Sequence, residues 1–389
     1  MINFAFINGI SINFNLNYLL YMYLKNLSLF NFKNIGEVNL DFSSELNCFI
    51  GSNGAGKTNL MDSIYYLSFC KSFVNPADEM NVTHDKDFFT IKGDFYREEK
   101  EEEILCGYKK GSGKYLRKNQ KKYRRFSEHI GFIPLVVVTP SDISLITGGS
   151  DGRRKFIDTL ISQYDHDYLE NLIRYNKAVL QRNKLLKQFA RQSYFKEDLL
   201  EIWDDQLLRY GQIIYEKRKV YIEKLQPIFQ KYYHLVSSDS ETVNLIYNSQ
   251  LSNNDFAIIL KENLKKDRIL QLSTVGIHKD DLIFNIEDYP IKKIGSQGQR
   301  KTYLIALKLA QFDFVREMSM MTPILLLDDI FDKLDEYRVE EIIKLVGDEN
   351  FGQIFITDTN RKNLDKIIQK ISVNSRIFQF KDGKIKVTA

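Results

Sequence analysis

The spacing of hydrophobic and polar positions changes along the chain and divides it into segments. From Tyr23 to Phe42, apolar and polar residues alternate in two runs on either side of Asn31-Phe-Lys-Asn-Ile-Gly36, the pattern of two half-buried strands. Leu46-Asn-Cys-Phe-Ile50 reads as a buried strand, and Asn59 to Phe69 as a helix with Leu60, Ile64 and Leu67 on one face. Phe88 to Phe95 and Glu103 to Tyr108 predict antiparallel strands around the solvated turn Arg97-Glu-Glu-Lys-Glu-Glu-Glu103. Ile133-Pro-Leu-Val-Val-Val-Thr139 is short, apolar and β-branched, as a strand buried on both faces requires.

The period then lengthens to that of helices from Arg153 to about Tyr233. Leu169, Ile173, Leu180 and Leu186 mark one helix, and Leu199, Ile202, Leu207, Tyr210, Ile214 and Leu225 another. Joined near Gln192-Ser193, the two predict an antiparallel hairpin. Beyond a polar linker, Ser237 to Asn254, and one further helix, Gln271 to Ile286 returns to strand character. Arg300 to Asp313 is a helix carrying Leu304, Leu307, Ala310 and, just beyond, Phe314. Apolar strands then end at Asp328-Asp329 and at Asp358-Thr359-Asn360.

These elements predict an α/β fold in which a mixed sheet layer and a parallel core sheet with helices form one head, interrupted by an inserted helical lobe. The expected divisions are an N-terminal extension at 1–21, the first part of the head at 22–147, the helical arm at 148–268 and the second part of the head at 269–389. Met1 to Tyr21 contains no Lys or Arg, unlike a signal peptide, and its five Asn residues argue against a membrane span. Met22 is a natural start for the domain, so the first residues read as an appendage or an early start, with an extra strand as the alternative.

Composition changes this picture little. The 389 residues, 43% hydrophobic and 27% charged, suffice for two or three lobes, and a net charge of +4 is compatible with an anionic partner without requiring one. Cys48, Cys70 and Cys106 lie far apart in apolar surroundings. They predict buried reduced thiols in a cytoplasmic protein, neither a disulfide framework nor a metal site.

The candidate chemistry centres on Gly51-Ser-Asn-Gly-Ala-Gly-Lys-Thr58, which fits G-x-x-x-x-G-K-[ST] between a predicted strand and a predicted helix. Gly51, Ser52, Asn53, Gly54, Ala55 and Gly56 would wrap phosphate with backbone N–H groups, Lys57 would reach the β- and γ-phosphates, and Thr58 would hold Mg²⁺. A chance glycine-rich turn is the alternative. Asp328 and Asp329 follow four buried apolar positions, Ile324 to Leu327. Asp328 suits the Mg²⁺ shell and Asp329 the orientation or deprotonation of the attacking water, whereas a helix cap or plain surface charge is the structural alternative. Gly295-Ser-Gln-Gly-Gln299 before a helix is a second anion-receiving turn, with Ser296, Gly298 and Gln299 the groups that would meet a γ-phosphate.

Lys109 to Arg125 holds nine Lys or Arg and no acid, with Tyr115 and Tyr123 interleaved. Lys114, Arg117, Lys118, Lys121, Lys122, Arg124 and Arg125 are candidates for DNA phosphate contacts, and a solvated basic hairpin is the equal alternative. His278, beside Lys279, reads as a structural residue or as a DNA or nucleotide contact. Arg153 and Arg154 read as contacts to nucleotide, DNA or a second subunit, or as ion pairs with Asp158.

The order of these motifs, ending in Leu325-Leu-Leu-Asp-Asp329 and Asp335, resembles an ABC-type ATPase head and more closely the RecF family. Leu145-Ile-Thr-Gly-Gly-Ser-Asp-Gly-Arg-Arg-Lys-Phe-Ile-Asp158 is similar to that family's loop ending in Arg-Arg-x-Phe-(aliphatic)-Asp, and Leu326-Leu-Asp-Asp-Ile-Phe-Asp-Lys-Leu-Asp335 to its acidic strand and following loop. The resemblance implies ATP-dependent head-to-head dimers in which Ser296 of one subunit completes the other's site. It also implies slow hydrolysis that times release from double-stranded or gapped DNA, action at gaps and stalled forks, and work with RecR and RecO. The chain departs from the family pattern at Ser150, usually Pro, and at Asp332-Lys333, commonly Ser-Glu. Asp358-Thr359 stands where many ABC transporters have a histidine, so Thr359 becomes the candidate γ-phosphate contact. A structural DNA clamp that binds ATP without hydrolysis is the main rival. A nuclease has no residues left over to serve it, and a transporter ATPase would lack so large a helical insertion.

Overall fold

Two six-stranded sheets face each other across the helix Lys57–Phe69, which follows the glycine-rich loop. The computed structural model describes residues 4–7, 10–13, 20–192, 194–237, 241–330, 336–346, 351–359, 374–381 and 384–387. One sheet is antiparallel throughout and runs Ile35–Asp41, Met22–Phe32, Phe88–Arg97, Lys100–Lys109, Gly113–Lys118, Lys121–Lys122. The other runs Leu135–Val138, Ile324–Asp328, Ile354–Asp358, Leu46–Gly51, Ser375–Lys381, Lys384–Val387, with only the last pair antiparallel.

The four strands Leu135–Val138, Ile324–Asp328, Ile354–Asp358 and Leu46–Gly51 are buried on both faces, which is why they read as apolar runs. Phe49, Leu326, Phe355 and Phe378 point toward the helix Lys57–Phe69 and the antiparallel sheet. Cys48, Ile50, Val136, Leu325 and Ile356 point toward the helix Gln297–Ser319 and the arm. Phe42 wedges between Phe355 and Phe378 at centroid distances of 5.0 and 5.3 Å, locking the loop-bearing strand to its neighbours. Buried Gln353 ties the sheets together: the first sheet shifts register between Leu24 and Asn26, and Gln353 takes both the N–H and the C=O of Leu24, each at 2.8 Å.

The hairpin helices are His166–Gln192 and Asp198–Ser237, preceded by Ser150–Ser162. Leu186, Leu207, Ile214 and Leu225 are buried as expected, and the rest of the contact face differs from the expected stripes. Tyr168, Leu172, Tyr175, Ala178, Arg182, Leu186 and Phe189 are buried, whereas Ile173, Leu180, Leu199 and Ile202 are exposed. Arg182 is the reason: it sits in the buried face, bonded to Asp204 and Asp267, both at 2.5 Å, so the inward stripe is not uniformly apolar.

The expected polar linker contains a strand, Val243–Asn248, paired with Asp281–Ile286. Strand Asp281–Ile286 also pairs with Tyr289–Pro290, so the small sheet crosses the division expected at 268. The strand expected from Gln271 is confined to Asp281–Ile286, and two short helices, Phe256–Glu262 and Leu264–Leu270, replace the single one. Ser150 opens a helix, a position where proline fits equally well. The loop before it is held by bonds to the Gly148 carbonyl from Arg153 and Lys292, each 3.1 Å. Phe4–Ile7 and Ile10–Asn13 pair with each other, and Asp332-Lys333 and Asp335 lie outside the described residues. No helix among the described residues is long and apolar enough to cross a membrane.

A buried cation helps to join the arm to the head. Arg218 donates to Asp158 at 2.8 Å, to Asp280 at 3.2 Å and to the Ile277 carbonyl at 2.9 Å, and Tyr247 donates to Asp280 at 2.5 Å. Arg218→Met leaves two carboxylates in this joint without their cation, with an expected loss of about 3–5 kcal/mol in a urea unfolding titration. His129 is buried and His278 half-buried, and desolvation lowers both to about 4 from 6.5. The unfolded chain therefore binds protons that the folded chain refuses between those values. Their contribution is complete above 6.5 and is lost as pH falls toward 4, by about 2 kcal/mol per ring at about pH 5. His278→Gln is expected to flatten the pH dependence of unfolding stability over this window.

Candidate functional site

Leu46–Gly51 lies inside the parallel sheet, between Ile354–Asp358 and Ser375–Lys381, so its C-terminal end opens among neighbouring strand ends rather than at a border. This is where an open α/β sheet leaves a crevice. At Gly51 a side chain would strike Phe380, whose Cβ and carbonyl both stand 2.8 Å from the added carbon. Gly56 caps the helix at φ 105°, a left-handed conformation that favours glycine. No acid occupies the first turn of Lys57–Phe69, which keeps its N-terminal end positive for an anion. Ser52, Asn53, Gly54 and Ala55 complete the loop, and Lys57 Nζ donates to the Gly51 and Ser52 carbonyls at 2.7 and 3.0 Å. Desolvation lowers the Lys57 pKa against the opposing fields of Asp329, Asp328 and Asp358.

The acidic strand meets this loop directly. Thr58 Oγ1 donates to the Asp328 carboxylate, 2.9 Å from Oδ2, and Thr357 Oγ1 donates to Oδ1 at 2.8 Å. Asp328 is buried, and desolvation raises its pKa despite the bonds from Thr357 and Thr58. Asp329 turns the chain at φ 48°, its N–H donating to Thr357 Oγ1 at 2.8 Å. A hydroxyl and a carboxylate this close, all oxygen, fit a hard cation that takes its remaining ligands from phosphate and water. Among the described residues no cluster of three or more His, Cys, Asp or Glu could hold a metal by itself, and a magnesium site of this kind needs none.

Sequence reasoning missed Thr357, whose hydroxyl joins both aspartates, and placed weight on Thr359, which is exposed just past the strand. It also missed Asn34. The hairpin around Asn34 leans on the loop, its amide oxygen 3.1 Å from where a side chain at Gly56 would begin and 2.8 Å from Asn59 Nδ2. Nothing in the spacing of Asn31 to Gly36 signals that contact.

The second turn stands elsewhere. Ser296 caps Gln297–Ser319, accepting from Gln299 N at 3.1 Å, while Gln299 Oε1 accepts from Ser296 N at 2.9 Å. Gln299 Nε2 donates to Glu241 at 2.8 Å, and a side chain at Gly298 would begin 3.5 Å from the Arg338 guanidinium. The bonds of Ser296 and Gln299 are thus with this turn and Glu241, not with the glycine-rich loop, and Ser296 is exposed.

The basic hairpin divides in two. Lys114 is tied to the Cys70 carbonyl at 2.6 Å and to Asp78 at 3.0 Å, Lys118 to Glu102 at 3.0 Å, and Arg125 to Glu170 at 3.1 Å. Arg117, Lys121, Lys122 and Arg124 are exposed, and no carboxylate of a described residue pairs with them. The two tyrosines are structural: Tyr115 fills the space over Gly107, and Tyr123 bonds His129 at 3.2 Å. Structural roles also account for the remaining candidates. His278 bonds Tyr175 at 2.8 Å and the Ser273 carbonyl at 3.0 Å. Arg153 forms a two-pronged pair with Asp281, at 2.7 and 2.9 Å, rather than with Asp158. Arg154 holds Asp151 and, at 2.6 Å, the Asp280 carbonyl.

Comparison with known proteins agrees with this geometry. Residues 26–234 match the family described as AAA domain. The DNA replication and repair protein RecF of Phocaeicola vulgatus is 52% identical over 366 residues, covering 94% of this chain and 98% of its own. That of Flavobacterium johnsoniae is 48% identical, covering 92% and 99%. Among solved structures, the recombination mediator protein RecF-ATP of the RecFOR pathway superposes with a TM-score of 0.86 at 32% identity, over 96% of this chain and 99% of that one. The Smc head of Pyrococcus furiosus, at 17% identity and a TM-score of 0.56, shares the fold. An ATPase head carrying a short helical arm, related to its relatives over nearly its whole length, places the chain in the RecF family of DNA replication and repair proteins.

Proposed function

We propose that this protein is an ATP-dependent DNA-binding ATPase of recombinational repair, in which bound ATP closes two copies on DNA and slow hydrolysis releases them. The observation that carries the reading is the direct bond between Thr58 of the phosphate loop and Asp328 of the acidic strand, beside Lys57. The loop and the helix end cradle the phosphates, Lys57 neutralises the β- and γ-oxygens, and Thr58 and Asp328 hold magnesium. Magnesium, when bound, supplies charge neutralisation on the β- and γ-phosphates. Asp329 orients the attacking water and accepts its proton. Ser296, Gly298 and Gln299 of a second copy present a capped helix end, with no acid in its first turn, to the γ-phosphate. Thr359, at the end of the adjoining strand, is a further γ-phosphate contact.

The DNA in this reading is double-stranded or gapped, at gaps and stalled forks in the cytoplasm, and RecR and RecO are the proposed partners, in keeping with the RecFOR pathway named for one solved relative. Arg117, Lys121, Lys122 and Arg124 supply its phosphate contacts; Lys114, Lys118 and Arg125 shape the hairpin that carries them. The expected lobes are the head, 22–147 with 269–389, and the arm, 148–268, with the small sheet shared between them.

Asp329→Asn is expected to lower DNA-stimulated ATP turnover at least about a hundredfold while leaving ATP-dependent dimers intact by analytical ultracentrifugation. Equal turnover by the variant removes Asp329 from the chemistry, and no turnover by wild type on any DNA favours a structural clamp. Replacing Arg117, Lys121, Lys122 and Arg124 together by Ala is expected to weaken duplex binding and reduce the slope of log affinity against log salt by up to about 4. An unchanged slope moves the DNA off this hairpin.

A further inference from the structure

Gln299 has a side-chain amide with two distinguishable ends, and both are used. Its oxygen accepts the Ser296 N–H at 2.9 Å, completing the cap, and its nitrogen donates to Glu241 at 2.8 Å. An amide turned end for end would aim its N–H₂ at the Ser296 N–H, donor against donor. The carboxylate of Glu241 can only accept, so its charge selects the orientation that closes the cap.

Glu241 is itself held by the C-terminal turns of the arm helix Asp198–Ser237. Tyr233 donates to its other carboxylate oxygen at 2.6 Å, and Gln230 donates to its backbone carbonyl at 3.2 Å. Among the described residues the strand that follows has no β-partner on this side; glutamines of the helix take that place. Gln230 Oε1 accepts from Val243 N and Gln226 Oε1 from Leu245 N, each at 2.8 Å, and Gln226 Nε2 donates to the Val243 carbonyl at 2.5 Å. Tyr303 of the capped helix bonds the Asn244 carbonyl at 3.1 Å, bracing the same strand from below.

We propose that Glu241 is a positioning residue that fixes the Gln299 amide, holds Ser296 in the form offered to a second copy, and passes displacement of the arm helix to that turn. This rests on the reading that the Ser296 turn completes the nucleotide site of a second copy. Glu241 touches no nucleotide; it acts through Gln299.

The test uses the full chain with magnesium ATP, reading dimerisation by sedimentation and ATP affinity of the monomer by titration with a fluorescent ATP analogue. Glu241→Ala is expected to weaken ATP-dependent dimerisation by about tenfold to a hundredfold, the value of a charge-assisted hydrogen bond, with monomer affinity and thermal midpoint little changed. Glu241→Gln keeps an acceptor for Gln299 and is expected to stay within about threefold of wild type. Equal dimerisation by wild type and Glu241→Ala overturns the proposal. If wild type forms no ATP-dependent dimer, the dimer reading fails, and hydrogen exchange of the monomer decides this one. Faster exchange at the Gln299 backbone N–H in Glu241→Ala, reversed in Glu241→Gln, supports it, and unchanged exchange overturns it.

Discussion

The burial of the helix Lys57–Phe69 constrains everything around it. It is covered by the antiparallel sheet on one side and the parallel sheet on the other, and all but Thr58 and Asn59 of its residues are buried. A helix enclosed in this way cannot shift along its axis without opening both interfaces, so its first turn stays fixed at the mouth of Leu46–Gly51. Polar residues reinforce the enclosure. Asp62 is fully buried, yet it is paired with Lys33 at 2.5 Å and accepts from Ser72 at 2.6 Å and from Phe73 N at 2.8 Å. A buried carboxylate with every partner in place anchors its helix, whereas one left unpaired would destabilise it. The glycine-rich loop is therefore set by core packing, which is the condition for orienting groups with little reorganisation.

A second buried charge fixes the arm. Arg218 lies on the long arm helix, Asp158 on the helix before the hairpin, and Asp280 in the turn after the two short helices. Three segments far apart in sequence thus meet on one guanidinium, whose planar fork can serve several acceptors at once. Arg153, bonded to Asp281, and Arg154, bonded to the Asp280 carbonyl, close the same joint from the arm side. The Arg-Arg-x-Phe-aliphatic-Asp stretch is thus engaged with the turn that carries Asp280 and Asp281.

The legible parts of the chain were those whose signal is local. The strand, glycine turn and helix around Lys57 carry their own geometry, as does an apolar strand ending in Asp328-Asp329. Partnerships between distant segments were not legible. Arg182 in the middle of a helix looks like a surface residue, yet it occupies the contact face, so the apolar period picked out Ile173 and Leu180, which face solvent. Val243–Asn248 lies in a polar stretch and forms a strand because Asp281–Ile286 pairs with one edge while glutamines from a helix satisfy the other. Likewise a run of nine cations could not show which were committed to Glu102, Asp78 or Glu170.

The same distinction bears on why the proposed chemistry needs two copies. The phosphate loop supplies Lys57 and one helix end, while the Ser296 turn supplies a second helix end flanked by Lys292, Lys293, Arg300 and Lys301. Both surfaces favour an anion, so within one chain they would repel each other, and the Ser296 turn bonds Glu241 instead. A nucleotide triphosphate between two copies reverses that balance, since its charge is attracted to both. In the proposed pair a twofold arrangement forms two such sandwiches at once, each loop facing the other copy's turn. In that pair closure depends on the charge held at both sites, so loss of a γ-phosphate weakens it, and in the proposed coupling the arm helix bears on the Ser296 surface through Glu241.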